Sequence, residues 1–136
     1  MKFLVDANVL SEVTKPKPAD SVLSWLQDNE RDLVVNPIVL GELQYGILLL
    51  SAGKNRTELL KWFAAGVKHL LVLDIDANTA SIWAKLIAAL KRKGQSVSVK
   101  DSLIAATAVQ HRLTVATRNV RDFERAGVRV ENPFSD

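Results

Sequence analysis

Short apolar runs alternate along the chain with longer stretches of helical pattern. Unbroken apolar runs of a few residues are typical of strands that are buried on both faces of a parallel sheet. The predicted strands are Lys2–Val5, Leu33–Val35, Leu70–Leu73, Thr114–Thr117 and Val128–Glu131. The predicted helices are Ala19–Asn29, Pro37–Leu50, Arg56–Lys68, Asn78–Lys93 and Lys100–His111, with a short turn near Val120–Arg125.

Several element boundaries carry clear local signals. Asn36-Pro37 is a strong helix start, because an N-cap residue is followed by proline at the first helical position. Gly94 is typical of a helix stop. Strands that alternate with helices predict a three-layer α/β sandwich around a central, mainly parallel sheet of about five strands. No linker is visible, so we expect a single domain over residues 1–136.

The composition excludes several classes of site. The chain has no cysteine, which excludes disulfides, thiolate metal sites and cysteine nucleophiles, and which agrees with a reducing cytoplasm. The N-terminus lacks the pattern of a signal peptide. No apolar run approaches the ~20 residues of a membrane span. The sequence therefore predicts a cytoplasmic protein.

Positive charge is concentrated in the second half of the chain. Residues 1–80 carry 8 Lys/Arg and 10 Asp/Glu, whereas residues 81–136 carry 10 and 5. This half could form a surface that attracts phosphates. For Lys91-Arg92-Lys93 alone, the alternative is a helix end whose charges complement the macrodipole. The other basic residues are Lys100, Arg112, Arg118, Arg121, Arg125 and Arg129.

A carboxylate, Asp6, directly follows the first predicted strand. In open α/β sheets, ligands bind in the crevice beyond the carboxyl ends of the strands. The simpler interpretation is that the strand has ended and the chain has reached water. Three more acids in comparable places, Glu42, Asp101 and Asp122, favour a site.

Glu42 lies inside a predicted helix, and its neighbours one turn away are apolar or small. An unpaired charge on such a face is costly. We therefore favour a carboxylate that is directed into a cleft and held by a metal ion or a cation over the polar edge of an amphipathic helix. Gly41 and Gly46 each lower the helix propensity by about 1 kcal/mol, which predicts close packing or ligand approach at both.

Asp101 and Asp122 have an alternative role in capping. Ser98-Val99-Lys100-Asp101 fits a capping box, and Asn119 could cap a short helix with Asp122 as its first-turn acid. A carboxylate has two oxygens, so a cap and a metal ligand are compatible. Asp122 also follows Thr117-Arg118-Asn119, which are small or polar groups at a strand end.

Carboxylates that converge without histidine or cysteine form an oxygen-only site, which suits Mg²⁺ or Mn²⁺. Such acids repel one another unless a divalent ion neutralises them. His69 precedes a strand and His111 ends a helix, so we expect neither to bind the metal.

These residues, in this order, resemble the PIN-domain ribonucleases, and within them the VapC-like toxins of bacterial toxin–antitoxin pairs. The resemblance runs nearly end to end. Four segments carry it: Phe3-Leu4-Val5-Asp6-Ala7-Asn8-Val9-Leu10, Glu42-Leu43 with Tyr45-Gly46, Asp101-Ser102-Leu103-Ile104-Ala105-Ala106-Thr107-Ala108, and Thr117-Arg118-Asn119 with Asp122-Phe123.

The resemblance implies a Mg²⁺-dependent endoribonuclease, with Mn²⁺ as a possible substitute. It implies that Asp6 and Asp101 are the principal metal ligands and that Glu42 and Asp122 complete the acidic cluster. It also implies a homodimer that is neutralised by a small antitoxin protein, whose tail covers the active-site groove and through which any contact with DNA is made.

The chain departs from the family pattern at two positions. Ala7 replaces a common Thr or Ser, which removes a hydroxyl that could help to hold Asp6. Asn119 stands where some relatives carry an acid, so the fourth carboxylate must come from Asp122 or be dispensed with. Because neither change removes a central ligand, we expect an active enzyme.

Two alternatives remain at the level of the sequence. A haloacid-dehalogenase-like phosphatase also begins with an aspartate after its first strand, but it needs a second acid two residues later, where this chain has Asn8. A non-catalytic co-repressor that acts only with its antitoxin is disfavoured by the retained Asp6, Glu42 and Asp101.

Overall fold

The predicted strands form one parallel sheet. A computed structural model describes residues 1–135, except for the side chain of Lys68. The strands are β1 (Phe3–Val5), β2 (Leu33–Val35), β3 (Leu71–Val72), β4 (Thr114–Ala116) and β5 (Val130–Glu131). Their order is β3-β2-β1-β4-β5, and each adjacent pair is parallel. The strands lie where the sequence predicts them, and β3 and β5 are two residues shorter than expected.

Helices connect the strands and cover the sheet. They are α1 (Ala7–Leu10), α2 (Asp20–Asp28), α3 (Pro37–Leu48), α4 (Lys54–Ala65), α5 (Ala77–Arg92), α6 (Val99–His111) and α7 (Val120–Arg125). Every residue of β1 and β2 is buried, so both faces of the sheet are covered and the fold is a three-layer α/β sandwich. Within residues 1–135, no helix is long and apolar enough to cross a membrane.

The predicted start signal forms at the end of β2. The side chain of Asn36 accepts a hydrogen bond from the Val39 backbone N–H at 3.0 Å, and Pro37 occupies the first turn of α3. The amide of Asn36 also donates to the Thr107 hydroxyl at 3.1 Å, which ties α3 to α6. One residue therefore begins a helix and joins two helices on the sheet.

The central position of β1 determines where the polar residues gather. β1 lies between β2 and β4, and the backbone N–H of Asp6 extends the β1–β4 pairing by donating to the Ala116 carbonyl at 2.9 Å. Asp6, Asn36 and Thr117 each follow one of these three strands. Parallel strands present their carboxyl ends at the same edge, so these residues emerge together.

Candidate active site

Asp6 is a buried carboxylate that is held on both oxygens. It is 4% exposed and begins α1. Its Oδ1 accepts a hydrogen bond from the Ala7 N–H at 2.8 Å. Its Oδ2 accepts from the Thr117 hydroxyl at 2.7 Å and from the Asn8 amide at 3.2 Å. The side chain therefore has a fixed direction at the carboxyl edge of the sheet.

Thr117 and Asn8 form the frame around this acid. Thr117 is fully buried, and its hydroxyl oxygen accepts from the Asn119 N–H at 2.9 Å. The Asn8 Oδ1 accepts from the Arg118 N–H at 3.1 Å. Asp6 therefore receives a hydroxyl hydrogen bond from Thr117, directly after β4, although Ala7 has no hydroxyl. Sequence reasoning missed the role of Asn8, although its position two residues after Asp6 was a usable signal.

Asp101 and Asp122 meet at one amide group. The Nδ2 of Asn119 donates to Asp101 Oδ2 at 2.7 Å and to Asp122 Oδ2 at 3.0 Å. The structure therefore brings the third and fourth predicted acids together. The alternative in which the Asn119 side chain caps α7 is wrong: this residue is at the N-cap, but its amide donates to the two carboxylates and makes no capping bond. Asp122 does lie in the first turn of α7.

The capping role of Ser98 is confirmed. Its hydroxyl oxygen accepts from the Asp101 N–H at 3.1 Å at the start of α6. The Asp101 carboxylate is simultaneously bound to Asn119. The backbone N–H of Asp101 is capped by Ser98 while its carboxylate belongs to the acidic site, so the two roles coexist in different parts of the residue.

Glu42 reaches the site from α3 with one oxygen unpaired. Its Oε2 lies 3.6 Å from the Nζ of Lys100, and its side chain is 23% exposed. Its Oε1 is buried and has no hydrogen-bond partner. A buried, unsatisfied carboxylate oxygen is costly, and a cation at the site would satisfy it.

Glu42 also borders a groove of about 440 Å³. The polar lining of the groove includes Asn8, Ser11 and Asn55, and most of the lining from α3 and α4 is apolar. The apolar lining includes Leu43, Ile47, Leu59 and Trp62. The acidic site therefore opens into a cavity that is largely apolar.

The pKa values show that the acids share one electrostatic environment. Burial raises the pKa of Asp6, Glu42 and Asp101. The charge of Asp6 further raises the pKa of Glu42 and of Asp101, and the charge of Asp122 acts in the same direction on Asp101. The Thr117 hydroxyl and the Lys100 ammonium oppose the rise in the pKa of Asp6. Mutual repulsion of this kind is relieved by a divalent cation.

The donor set fits a hard cation. All four acids offer oxygen, and Glu42 Oε1 is an unsatisfied ligand. Across residues 1–135, however, no group of three or more acidic, histidine or cysteine side chains lies close enough to form a ready metal centre. Asp6 and Asp101 as the metal-ligand pair therefore remain a prediction. His111 is the last residue of α6 and Asp101 lies in its first turn, so the two residues are at opposite ends of this helix.

The family model of the PIN domain matches residues 3–128. The chain belongs to the PIN domain family. It is 36% identical to toxin FitB of Neisseria gonorrhoeae over 138 residues, which cover 98% of this chain and 99% of FitB. It is also 36% identical to the VapC ribonuclease Y4jK of Sinorhizobium fredii over 136 residues, which cover 97% of both chains.

The fold of this PIN domain has a close structural counterpart. The crystal structure of FitAcB from Neisseria gonorrhoeae matches it with a TM-score of 0.92 and 36% identity, covering 98% of this chain and 99% of the other. The predicted VapC-like PIN fold is confirmed. Membership of this family also removes the ground for the phosphatase alternative.

Proposed function

We propose that this PIN domain is a metal-dependent endoribonuclease and the toxin of a type II toxin–antitoxin pair. The main supporting observation is the acidic site itself, in which neutral side chains hold Asp6 at the end of β1 and hold Asp101 together with Asp122, in a chain that belongs to the PIN domain family. The similarity to toxin FitB and to a VapC ribonuclease supports the same function. The reaction is the hydrolysis of RNA phosphodiester bonds.

The catalytic ion in this proposal is Mg²⁺, for which Mn²⁺ can substitute. Asp6 and Asp101 would hold it, with Glu42 and Asp122 completing the acidic cluster. When bound, the ion supplies activation of water and neutralisation of charge on the scissile phosphate. Thr117 and Asn8 orient Asp6 for this task through their hydrogen bonds to its Oδ2.

Asn119 performs the corresponding task for the other pair of acids. Its single amide holds Asp101 and Asp122 close together, although their charges repel. An amide at this position adds no further negative charge, whereas an acid would. We infer that Asp122 is the fourth carboxylate of the site and that Asn119 positions it.

Basic side chains beside the site would hold the RNA backbone. Arg118 and Arg121 are exposed, and the guanidinium of Arg118 lies 3.7 Å from the centre of the Phe134 ring. Lys91-Arg92-Lys93 provides further charge at the end of α5. Contacts to phosphates position a substrate without specifying its sequence.

The proposed protein partner is a small antitoxin. In this proposal the antitoxin tail lies in the groove that begins at Asn8 and Glu42 and ends at Trp62, where it excludes RNA. The toxin acts as a homodimer and contacts DNA only through the antitoxin.

RNA cleavage by the purified chain tests this function directly. We expect cleavage with Mg²⁺ or Mn²⁺ and none in excess EDTA, and no cleavage by an Asp6→Asn preparation purified in parallel, which controls for contaminating nucleases. Undiminished cleavage in EDTA would contradict the metal dependence. A wild-type chain that binds the antitoxin but never cleaves RNA would favour the co-repressor instead.

A further inference from the structure

Lys100 is a cation in an unfavourable place on its helix. It occupies the first turn of α6, between the N-cap Ser98 and Asp101. The helix macrodipole places partial positive charge at this end, so a lysine here does not stabilise the helix. A role for Lys100 must therefore come from what its ammonium group contacts.

The ammonium contacts the acidic site from outside. Its Nζ lies 3.6 Å from Glu42 Oε2, and the Lys100 side chain is 61% exposed. The other oxygen of Glu42 is buried and unpaired. The positive charge of Lys100 lowers the pKa of Asp6 as well as that of Glu42, so it acts on two of the acids.

This ion pair is one that an incoming ion can break. A single contact of this length on an exposed lysine is worth little, because water screens it and the long side chain loses entropy. A divalent ion carries twice the charge and would take the Glu42 carboxylate. The freed ammonium would then remain exposed beside the acidic site, available to a phosphate of the substrate.

We propose that Lys100 is a positioning residue with two successive partners: it holds Glu42 before the metal ion binds, and it holds an RNA phosphate afterwards. The inference rests on the proposed function, since it places Lys100 in the same site. It predicts that Lys100 weakens metal binding and strengthens RNA binding.

The test uses Lys100→Met, which keeps the aliphatic stem and removes the charge, and Lys100→Arg, which keeps the charge. The control is Lys85→Met on α5, an exposed helical lysine that lines a separate cavity with Val109 and Ala126. Mg²⁺ affinity is measured by calorimetry. RNA affinity is measured by fluorescence anisotropy of a short single strand in Ca²⁺, with a gel to show that the RNA stays intact.

We expect Lys100→Met to bind Mg²⁺ about two- to fivefold more tightly and the RNA about two- to fivefold more weakly, as the loss of one exposed charge contact allows. Lys100→Arg and Lys85→Met should match the wild type in both. The melting temperature in the absence of metal should be nearly unchanged in all variants. A lysine with only a structural role would instead lower the melting temperature and leave both affinities unchanged.

Unchanged Mg²⁺ or RNA affinity in Lys100→Met would overturn the inference, as would equal changes in Lys85→Met. Neither affinity measurement requires catalysis, so a failure of the proposed endoribonuclease function can be distinguished from a failure of the inference about Lys100. If the wild type binds Mg²⁺ and the variants behave as expected but no RNA is cleaved, the endoribonuclease proposal fails and the role of Lys100 as a cation at this site stands.

Discussion

At the scale of single residues, the site is built from neutral side chains that hold acids. Thr117 and Asn8 hold Asp6, and the amide of Asn119 spans Asp101 and Asp122. The acids can be identified from the sequence, because a charge directly after an apolar strand stands out from its neighbours. The holders are harder to identify, because a threonine at a strand end does not reveal where its hydroxyl points.

The first prediction concerns the charge of Asp6. The pKa of Asp6 is raised, so the folded state binds this proton more tightly than the unfolded chain does. The carboxyl of Asp6 therefore lowers the free energy of unfolding as the pH rises above the ordinary pKa of an aspartate. Without metal, the gain in unfolding free energy of Asp6→Asn over the wild type should therefore be larger at pH 7 than at pH 4.5. Urea unfolding in EDTA at both pH values measures the difference.

The same variant should lose RNA cleavage by at least about 100-fold, because its ligand charge is gone, and should no longer arrest bacterial growth on expression. Asp20→Asn, an exposed first-turn acid on α2, is the matched control and should behave as wild type. Equal toxicity of wild type and Asp6→Asn at matched expression would show that this carboxylate is not catalytic.

The second prediction separates the orienting role of Thr117 from its contribution to stability. Thr117→Val removes a hydroxyl bond to a buried charge, and Thr107→Val removes an equally buried hydroxyl that accepts from Asn36. Each should cost about 1–3 kcal/mol of unfolding free energy. Only Thr117→Val should move the acidic limb of the pH–rate profile to higher pH, because its hydroxyl lowers the pKa of Asp6. Identical profiles for the two variants would refute the orienting role.

The third prediction concerns Asp122. Asp122→Asn should leave the melting temperature almost unchanged, because relief of the repulsion with Asp101 offsets the loss of the Asn119 hydrogen bond and of the weak 3.8 Å ion pair with Arg125. Its cleavage rate should fall less than that of Asp6→Asn and should recover partly as Mg²⁺ is raised. A Mg²⁺ titration of the rate, in parallel with thermal unfolding, provides both measurements. Full activity with a clear loss of stability would reduce the site to Asp6, Glu42 and Asp101.

At the scale of elements, the sequence predicted the ends of helices correctly where the conformation of one or two residues determines where the helix begins or ends. Asn36 with Pro37 begins α3, and Gly94 follows α5 with a φ of +69°. The four-residue helix α1 was not predicted, because four residues are too few to show a helical pattern. The sequence also suggested close packing at Gly41 and Gly46. Close packing is wrong, since an added Cβ would have no neighbour within 4 Å at either position, and the other half of that prediction, ligand approach, stays a prediction.

The fourth prediction follows from the space around these glycines. Gly41→Ala should stabilise the protein by about 0.5–1 kcal/mol, because Gly41 is helical and the methyl group meets nothing. Gly94→Ala should destabilise it, because alanine is strained at positive φ. Chemical denaturation of both variants checks the opposite signs. Destabilisation by Gly41→Ala would indicate a neighbour that the isolated chain does not contain.

At the scale of the whole molecule, the two halves of the chain contribute different chemistry to one site. The acidic first part, residues 1–80, supplies Asp6 and Glu42. The basic second part, residues 81–136, supplies Asp101 and Asp122 and contains most of the arginines. The parallel sheet could be predicted from the alternation of elements. That the Asp101 and Asp122 carboxylates share one amide could not, because it depends on tertiary packing between α6 and α7.

The fifth prediction concerns the basic surface. RNA binding should weaken as salt rises, because phosphate contacts release counterions. Arg121→Gln should reduce the slope of log affinity against log salt by about 0.7, the value for one phosphate contact on a single strand. The exposed Arg31→Gln, in the acidic half, should leave the slope unchanged. A flat salt response of the wild type would exclude this surface as the one that holds RNA.

The hydrogen bond between Thr117 and Asp6 joins residues that are 111 positions apart. A ribosome therefore adds Thr117 and Asn119 more than a hundred residues after Asp6. A nascent chain that has not yet reached these two residues has the first acid of the site but not the groups that orient the acids. We therefore expect a growing chain to be unable to cut the RNAs that produce it until these residues have been made and folded.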